Sequence, residues 1–318
     1  MWPSHGRDAL ILDCPDSSRY DTVRYRDDIG LEDFMPTEIT PQLPTELQDE
    51  IFELAARESS HRAATFLQVS KWVYHRTLPI LYEVVVVQHN GFLDRVFYPP
   101  HIENWSSNIL DFFTQYGHHV RYLSITLVQP AEQHIIPVLK LCPSLRNLIS
   151  TTQFTTPMID VIQDYLPHLE RLSGRFEDVY GWIDVSKLTY RQLTHLDLIG
   201  LYSWGVWSTI FTGLPSLTHL ALNDPGSDKE ADETVLGVLR SCKKLRALLL
   251  VTEDSGRTET CEEEYYEPND GRVVIVSVRP LQDWLSGVRS GLDMWSLADE
   301  CITERRKKRE DQGGHQLD

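Results

Sequence analysis

The chain has 318 residues, 41% of them apolar, which is enough to bury a core and too many for a wholly disordered polymer. Lys and Arg number 30 against 47 Asp and Glu, and a net charge of −17 repels phosphate backbones and anionic lipid, so neither nucleic acid nor a membrane surface is expected as a partner. Five cysteines (Cys14, Cys142, Cys242, Cys261, Cys301) are too few and too scattered for a disulfide framework. No apolar run matches a signal peptide or the ~20 residues of a membrane span, so a soluble protein of the cytoplasm or nucleus is expected.

Residues 1–40 carry nine acids against four arginines and sustain no apolar periodicity, which predicts a mostly disordered acidic leader. The first strong pattern begins at Leu43. Leu43, Leu47, Ile51 and Leu54 recur at helical spacing, and Phe52 and Ala55 widen the stripe. Pro44 suits a first helical turn, where its missing N–H is not needed. A second helix is expected after Ser59-Ser60, through Ala63, Ala64, Phe66 and Leu67. A third follows Ser70 with Trp72, Val73 and Arg76, and Pro79 is expected to end it. Four valines, Val84–Val87, read as a buried strand.

The middle of the chain repeats itself. Six segments share an apolar-x-x-apolar-x-apolar template, with Ser150 and Gly174 at the last position in two of them. They begin at Val120, Leu145, Leu169, Leu193, Leu217 and Leu245, spaced by 25, 24, 24, 24 and 28 residues. Three residues before each start stand Gly117, Cys142, Leu166, Tyr190, Leu214 and Cys242. Pro143, Pro167 and Pro215 stand two before three of the starts and stop the preceding helix. Helical stretches fill the gaps at Ile135–Leu141, Ile159–Leu166, Trp204–Phe211 and Val235–Leu239. Each repeat is therefore a strand, a turn and a helix, and one unit cannot cover its own apolar face, so neighbours must stack. The template resembles a leucine-rich repeat. It departs at the eighth residue after the first leucine, where Leu201 and Pro225 replace the usual Asn or Cys, so the array should be irregular.

Residues 253–270 hold eight acids and one arginine and read as a solvated acidic loop before a last strand, Arg272–Val278. Leu281, Trp284, Leu285 and Val288 then mark one helix, Gly291 interrupts it, and Trp295, Ala298 and Ile302 mark another. These two helices are expected to close the open end of the array. The second ends in the basic run Arg305–Arg309, which reads first as a solvated helix end and second as a nuclear-import or anion patch.

The segment Leu43–Val87 resembles an F-box, through Leu43-Pro44, Leu47, Ile51-Phe52, Leu67, Val69-Ser70-Lys71, Trp72 and Leu81-Tyr82 before the valines. Over roughly residues 41–302 the chain is similar to fungal F-box-like proteins with irregular leucine-rich-type repeats. The tail RVVIVSV…LQDWLSGVRSGLDMW looks like the closing segment common in that set. The resemblance implies an α/β fold with five parts. They are the leader 1–40, an F-box-like three-helix unit over 41–82, a repeat solenoid over 83–278, capping helices over 279–309 and a flexible tail over 310–318. It also implies that Leu43, Pro44, Leu47, Ile51, Phe52, Leu67 and Val69 dock the Skp-type adaptor subunit of a cullin-RING ubiquitin ligase, and that the repeats bind a target protein. For Trp72 the core reading is preferred to docking.

No common nucleophile, phosphate-loop or metal signature occurs, so no cofactor or metal is expected and a non-enzymatic adaptor is the leading expectation. Cys142 and Cys242 share one repeat position and read as small buried residues. His118-His119 read as a solvated turn. Because strand side chains alternate, the residues two, four and six beyond each start face away from the leucines. From this face we select Tyr122, Asn147, Arg171, Arg175, His195, Asp197, His219, Asn223 and Leu249 as target-binding candidates. Two readings stand: the face is open, or the acidic loop or the C-terminal helices fold over it. His195 with Asp197 also invites a catalytic reading, which a flat surface would remove. A ligase-independent scaffold is the alternative to the adaptor.

Overall fold

The structure is a computed structural model and describes residues 43–58, 60–88, 101–103, 108–126, 132–176, 180–200, 204–223, 229–252 and 270–313. The leader 1–40, Leu201, Pro225 and all of the acidic loop except Asp270 lie outside the described residues. The chain divides into Met1–Pro44 and one compact unit, Thr45–Asp318. Within the first of these, Leu43 and Pro44 are described and both are exposed.

Three helices open the second unit: α1 (Thr45–Glu58), α2 (Ser60–Phe66) and α3 (Lys71–Leu81). Ser70 caps α3, its hydroxyl accepting from the Val73 N–H at 3.2 Å. Pro79 does not end this helix as its type suggests. A proline near a C-terminus forfeits a single hydrogen bond, and the last turn closes instead through the Tyr82 N–H to the Leu78 carbonyl.

The rest of the unit is organised on one open sheet. Its strands are β1 (Val84–Gln88), β2 (His101–Glu103), β3 (Tyr122–Thr126), β4 (Asn147–Gln153), β5 (Arg171–Arg175), β6 (His195–Ile199), β7 (His219–Asn223), β8 (Ala247–Thr252) and β9 (Val273–Ser277). The order is β2-β1-β3-β4-β5-β6-β7-β8-β9, and every described pairing is parallel. Residues Tyr122, Asn147, Arg171, His195, His219 and Ala247 fall in register across six consecutive strands, so the sequence template is also the structural one.

The same turn precedes most of these strands. The N–H of each template start donates to the carbonyl three residues before it: Val120 to Gly117, Leu145 to Cys142, Leu169 to Leu166, Leu217 to Leu214 and Leu245 to Cys242. The ladder then begins with two N–H groups sharing one carbonyl, as when Arg146 and Asn147 both donate to the Arg121 oxygen. Every template leucine is buried. All of them face α4 (Asn108–Tyr116), α5 (Glu132–Lys140), α6 (Thr156–Tyr165), α7 (Leu188–Gln192), α8 (Trp204–Thr212) and α9 (Lys229–Ser241) in one continuous core. Gly174 breaks the template, and Phe154 explains how. A two-residue irregularity in β4 carries the ring of Phe154, the residue just past that strand, onto the point where a Gly174 Cβ would lie, so it fills the gap.

The C-terminal helices do not close the end of the array. Helices α10 (Pro280–Ser290) and α11 (Met294–Gly313) lie on the opposite face of the sheet. Leu281, Trp284, Leu285 and Val288 pack on Val84, Val86, Tyr122 and Ile149. Met294, Trp295, Ala298 and Ile302 pack on Ala221, Leu249, Val251, Val274 and Val276. The physical reason lies in the strands: the outward positions Ile149, Ala221, Leu249 and Val251 are apolar and need a cover of their own. Helix α11 also runs through residues 310–313, which were expected to be flexible.

Candidate functional site

Two surfaces carry the sequence candidates. On the first, α1 presents Leu47, Ile51 and Leu54 to solvent at 46%, 53% and 62% exposure, three residues spaced to share one helical face. Val69, in the turn before α3, is 59% exposed. Phe52 is different. Its ring meets Phe66 and Trp72 edge-on, with centroids 5.4 and 5.9 Å apart, so it belongs to the interior of the three-helix unit and not to a docking face. Trp72 takes the packing role read for it, and Leu67 is half-buried. Glu83 ties α1 to the sheet, accepting from Arg57 at 2.7 Å and from Arg121 at 3.2 Å.

The second surface is the sheet face under α10 and α11. The candidates chosen from alternation do share it, but they do not form an open concave surface. Leu249 is fully buried, and Asn147, Asp197, His219 and Asn223 are each at most 9% exposed. Tyr122, Arg171, Arg175 and His195 are half-buried. The helices reach them through polar contacts: the Trp284 indole donates to Asn147 Oδ1 at 2.9 Å, and the Arg171 guanidinium pairs with Asp293 at 2.7 Å. His195 and His219 stack with centroids 4.3 Å apart, and Trp295 meets both rings edge-on. Asp299 stands 3.4 Å from both His219 and Arg246.

Between the two helices a narrow cleft is lined on the sheet side by Asn147, Arg171, Ser173, His195, Asp197 and Asn223. Asp197 accepts from the Ser173 hydroxyl at 2.5 Å and from the Asn223 amide. Burial pushes its carboxyl up to about 6, against those two donors. Burial pushes His195 the other way, to about 2, helped by the Arg171, His219 and Arg246 charges. His219 is likewise lowered by burial, with Asp299 opposing. The His195 Nδ1 is taken by the Thr194 hydroxyl at 2.8 Å. Ser173 thus bonds directly to Asp197 and His195 bonds elsewhere, so no nucleophile–base–orienter chain is assembled here.

Alternation in the sequence placed these residues on one face. It did not reveal Trp284, Asp293, Trp295 and Asp299 as their cover; the signal was the apolar character of the outward strand positions. Cys142 and Cys242 are free and buried, as their repeat position suggests. Cys301 on α11 is disulfide-bonded. Among the described residues no group of three His, Cys, Asp or Glu side chains has a metal-binding arrangement, and no helix is long and apolar enough to cross a membrane. No protein-family model matches the chain. Comparison with curated proteins gives no match.

Proposed function

We propose that the chain is an F-box-type substrate adaptor of a Skp–cullin–RING ubiquitin ligase, in which α1–α3 dock the Skp-type subunit and the repeat array carries the target. The observation that carries this reading is the unpartnered apolar stripe Leu47, Ile51 and Leu54 on α1, with Val69 exposed in the turn before α3. The aromatic cluster Phe52–Phe66–Trp72 supports it too. It holds the three helices together without using those residues, which leaves them free for a partner. Leu43 and Pro44 join them as docking residues through the resemblance. The leucine-rich-type solenoid is part of the same proposal, and the in-register templates support it. Target recognition through Tyr122, Asn147, Arg171, Arg175, His195, Asp197, His219, Asn223 and Leu249 would require α10 and α11 to leave the sheet. The adaptor reading therefore looks for its target elsewhere.

The test is co-purification with a purified Skp-type adaptor. Wild type is expected to bind. The double substitution Leu47→Lys, Ile51→Lys is expected to lose binding with its thermal stability unchanged, because both side chains are exposed. Leu43→Ala with Pro44→Ala gives a second check outside the helix. No complex with wild type sinks the adaptor reading. Partner capture that survives removal of 41–82, with no effect on ubiquitination, would favour a ligase-independent scaffold.

A further inference from the structure

Helices α10 and α11 lie over a face of the sheet, and among the described residues β9 is its last strand, with no element beyond it. The direction of its backbone groups follows from one bond. The Arg272 carbonyl accepts from the Leu248 N–H, so Arg272, Val274 and Val276 turn their N–H and C=O groups toward β8. Val273, Ile275 and Ser277 therefore turn theirs outward. The outward pair of Val273 is satisfied: its N–H donates to the Asp270 carbonyl at 3.0 Å, and its carbonyl accepts from Arg305 Nη1 at 2.5 Å. Among the described residues, the outward groups of Ile275 and Ser277 have no hydrogen-bond partner. An exposed edge of this kind is a template for another strand.

We propose that the free edge of β9 takes an extended, acidic segment of a partner protein as a tenth strand. The occupant is fixed by charge and by the two faces of the sheet. Arg305 already reaches the edge from α11, and Arg309 Nη1 lies 3.3 Å from where a Gly271 Cβ would stand, so the start of the edge is flanked by guanidinium groups. Arg306 and Lys307 extend the charge along the exposed part of α11, with Glu304, Glu310 and Asp311 as acidic neighbours on the helix. Asp270, paired with Arg272, lies close enough to Arg309 to feel its charge. This is a concentrated basic run on a chain of net charge −17. An added strand sends alternate side chains to the two faces. Those on the α11 side, the side of Val274 and Val276, meet the arginines and are acidic. Those on the other side continue the half-buried Ile275 layer and are apolar. The edge thus selects an alternating acidic–apolar sequence. It lies away from the α1 stripe, and its test does not involve the Skp-type adaptor.

The experiment uses the full chain and a fluorescein-labelled (Glu-Val)4 octapeptide, followed by anisotropy at low and high salt, with (Lys-Val)4 as control. Saturable, salt-sensitive binding of the acidic peptide is expected, together with new protection of the Ile275 and Ser277 amides in hydrogen exchange. Ile275→Pro removes one outward N–H at an edge position that tolerates proline, and it should weaken binding about tenfold. Arg309→Glu, an exposed substitution, should weaken it about threefold or more and flatten the salt dependence. No saturable binding, equal binding of the lysine peptide, unchanged binding by Ile275→Pro, or an Ile275 amide already protected in the free chain would each overturn the proposal.

Discussion

Asp197 sits on the covered face of the sheet and is held by two neutral donors, Ser173 and Asn223. Its carboxyl ordinarily titrates at 3.8 and here at about 6, because burial disfavours the charge more than the donors favour it. Between those values the native state holds a proton that the unfolded chain has lost. Stability therefore falls as pH rises through that window, and the deficit above it is on the order of 3 kcal/mol. His195 has the opposite sign. Its pKa is depressed from 6.5, so the unfolded chain binds the extra proton and stability falls as pH drops below that value. The two slopes oppose each other in mildly acid solution, so the wild-type profile alone is not diagnostic. Asp197→Asn separates them, since an amide keeps the shape without a charge: its oxygen accepts from Asn223, and its NH2 donates to a Ser173 hydroxyl that reverses its role. Denaturant midpoints should favour the Asn variant at about pH 8, and the gap should close toward about pH 4. Parallel midpoints at all pH values would show that Asp197 carries no such penalty. The sequence made Asp197 and His195 neighbours on one face through strand alternation. Their burial was not legible, because nothing local in a five-residue strand says what lies above it.

At the scale of elements, the boundary of α11 is built on one side chain. Asp293 caps the helix: its carboxylate accepts from the Ser296 N–H at 2.9 Å, while the Ser296 hydroxyl accepts from the Asp293 N–H at 2.9 Å. The same carboxylate pairs with Arg171 on β5. Gly287 on α10 makes room for it, since a Cβ there would come within 2.5 Å of Asp293 Oδ2. One residue thus caps α11 and ties it to the sheet, with α10 packed close beside it. Asp293→Ala should lose the cap and leave Arg171 unpaired, at a cost of about 1–3 kcal/mol. Asp293→Asn keeps most of the cap and removes the charge, and should cost less than half as much. Equal losses in thermal melts would mean that the ion pair, not the cap, fixes the helix. Both helices were legible from their apolar spacing, and Gly291 between them takes the left-handed conformation of a C-cap, with φ of 73°. Their destination was not legible. An amphipathic stripe says that a face is buried and not against what, whereas the apolar outward residues Ile149, Leu249 and Val251 held that information on the other partner. The strand–turn–helix period was the most legible feature, because five of the six repeats use the same turn and the template leucines are buried throughout. Gly174 marks its limit: the missing side chain is supplied by Phe154 from the neighbouring repeat, which no single-repeat pattern can show.

Across the whole molecule, apolar burial is distributed unevenly. The strands and α4–α9 share one continuous core from Val85 to Val273, and the second face has its own clusters under α10 and α11. Among the described residues of α1–α3, by contrast, only Ala56, Ala63, Val73 and Thr77 are buried, while the largest aliphatic side chains of α1 face water. Local stability follows the density of buried contacts, so these three helices should open without unfolding the sheet. Hydrogen exchange followed by mass spectrometry should then find the amides of α1 exchanging at least about 100-fold faster than those of β4–β8, a difference of about 3 kcal/mol in opening free energy. A docking partner that covers Leu47, Ile51 and Leu54 would bind the closed form only. On the proposed adaptor reading, saturating Skp-type subunit should therefore slow α1 exchange while leaving β4–β8 unchanged. Uniform protection across the unit would mean that the three helices unfold together with the sheet, and that the exposed stripe needs no partner to hold its helix in place.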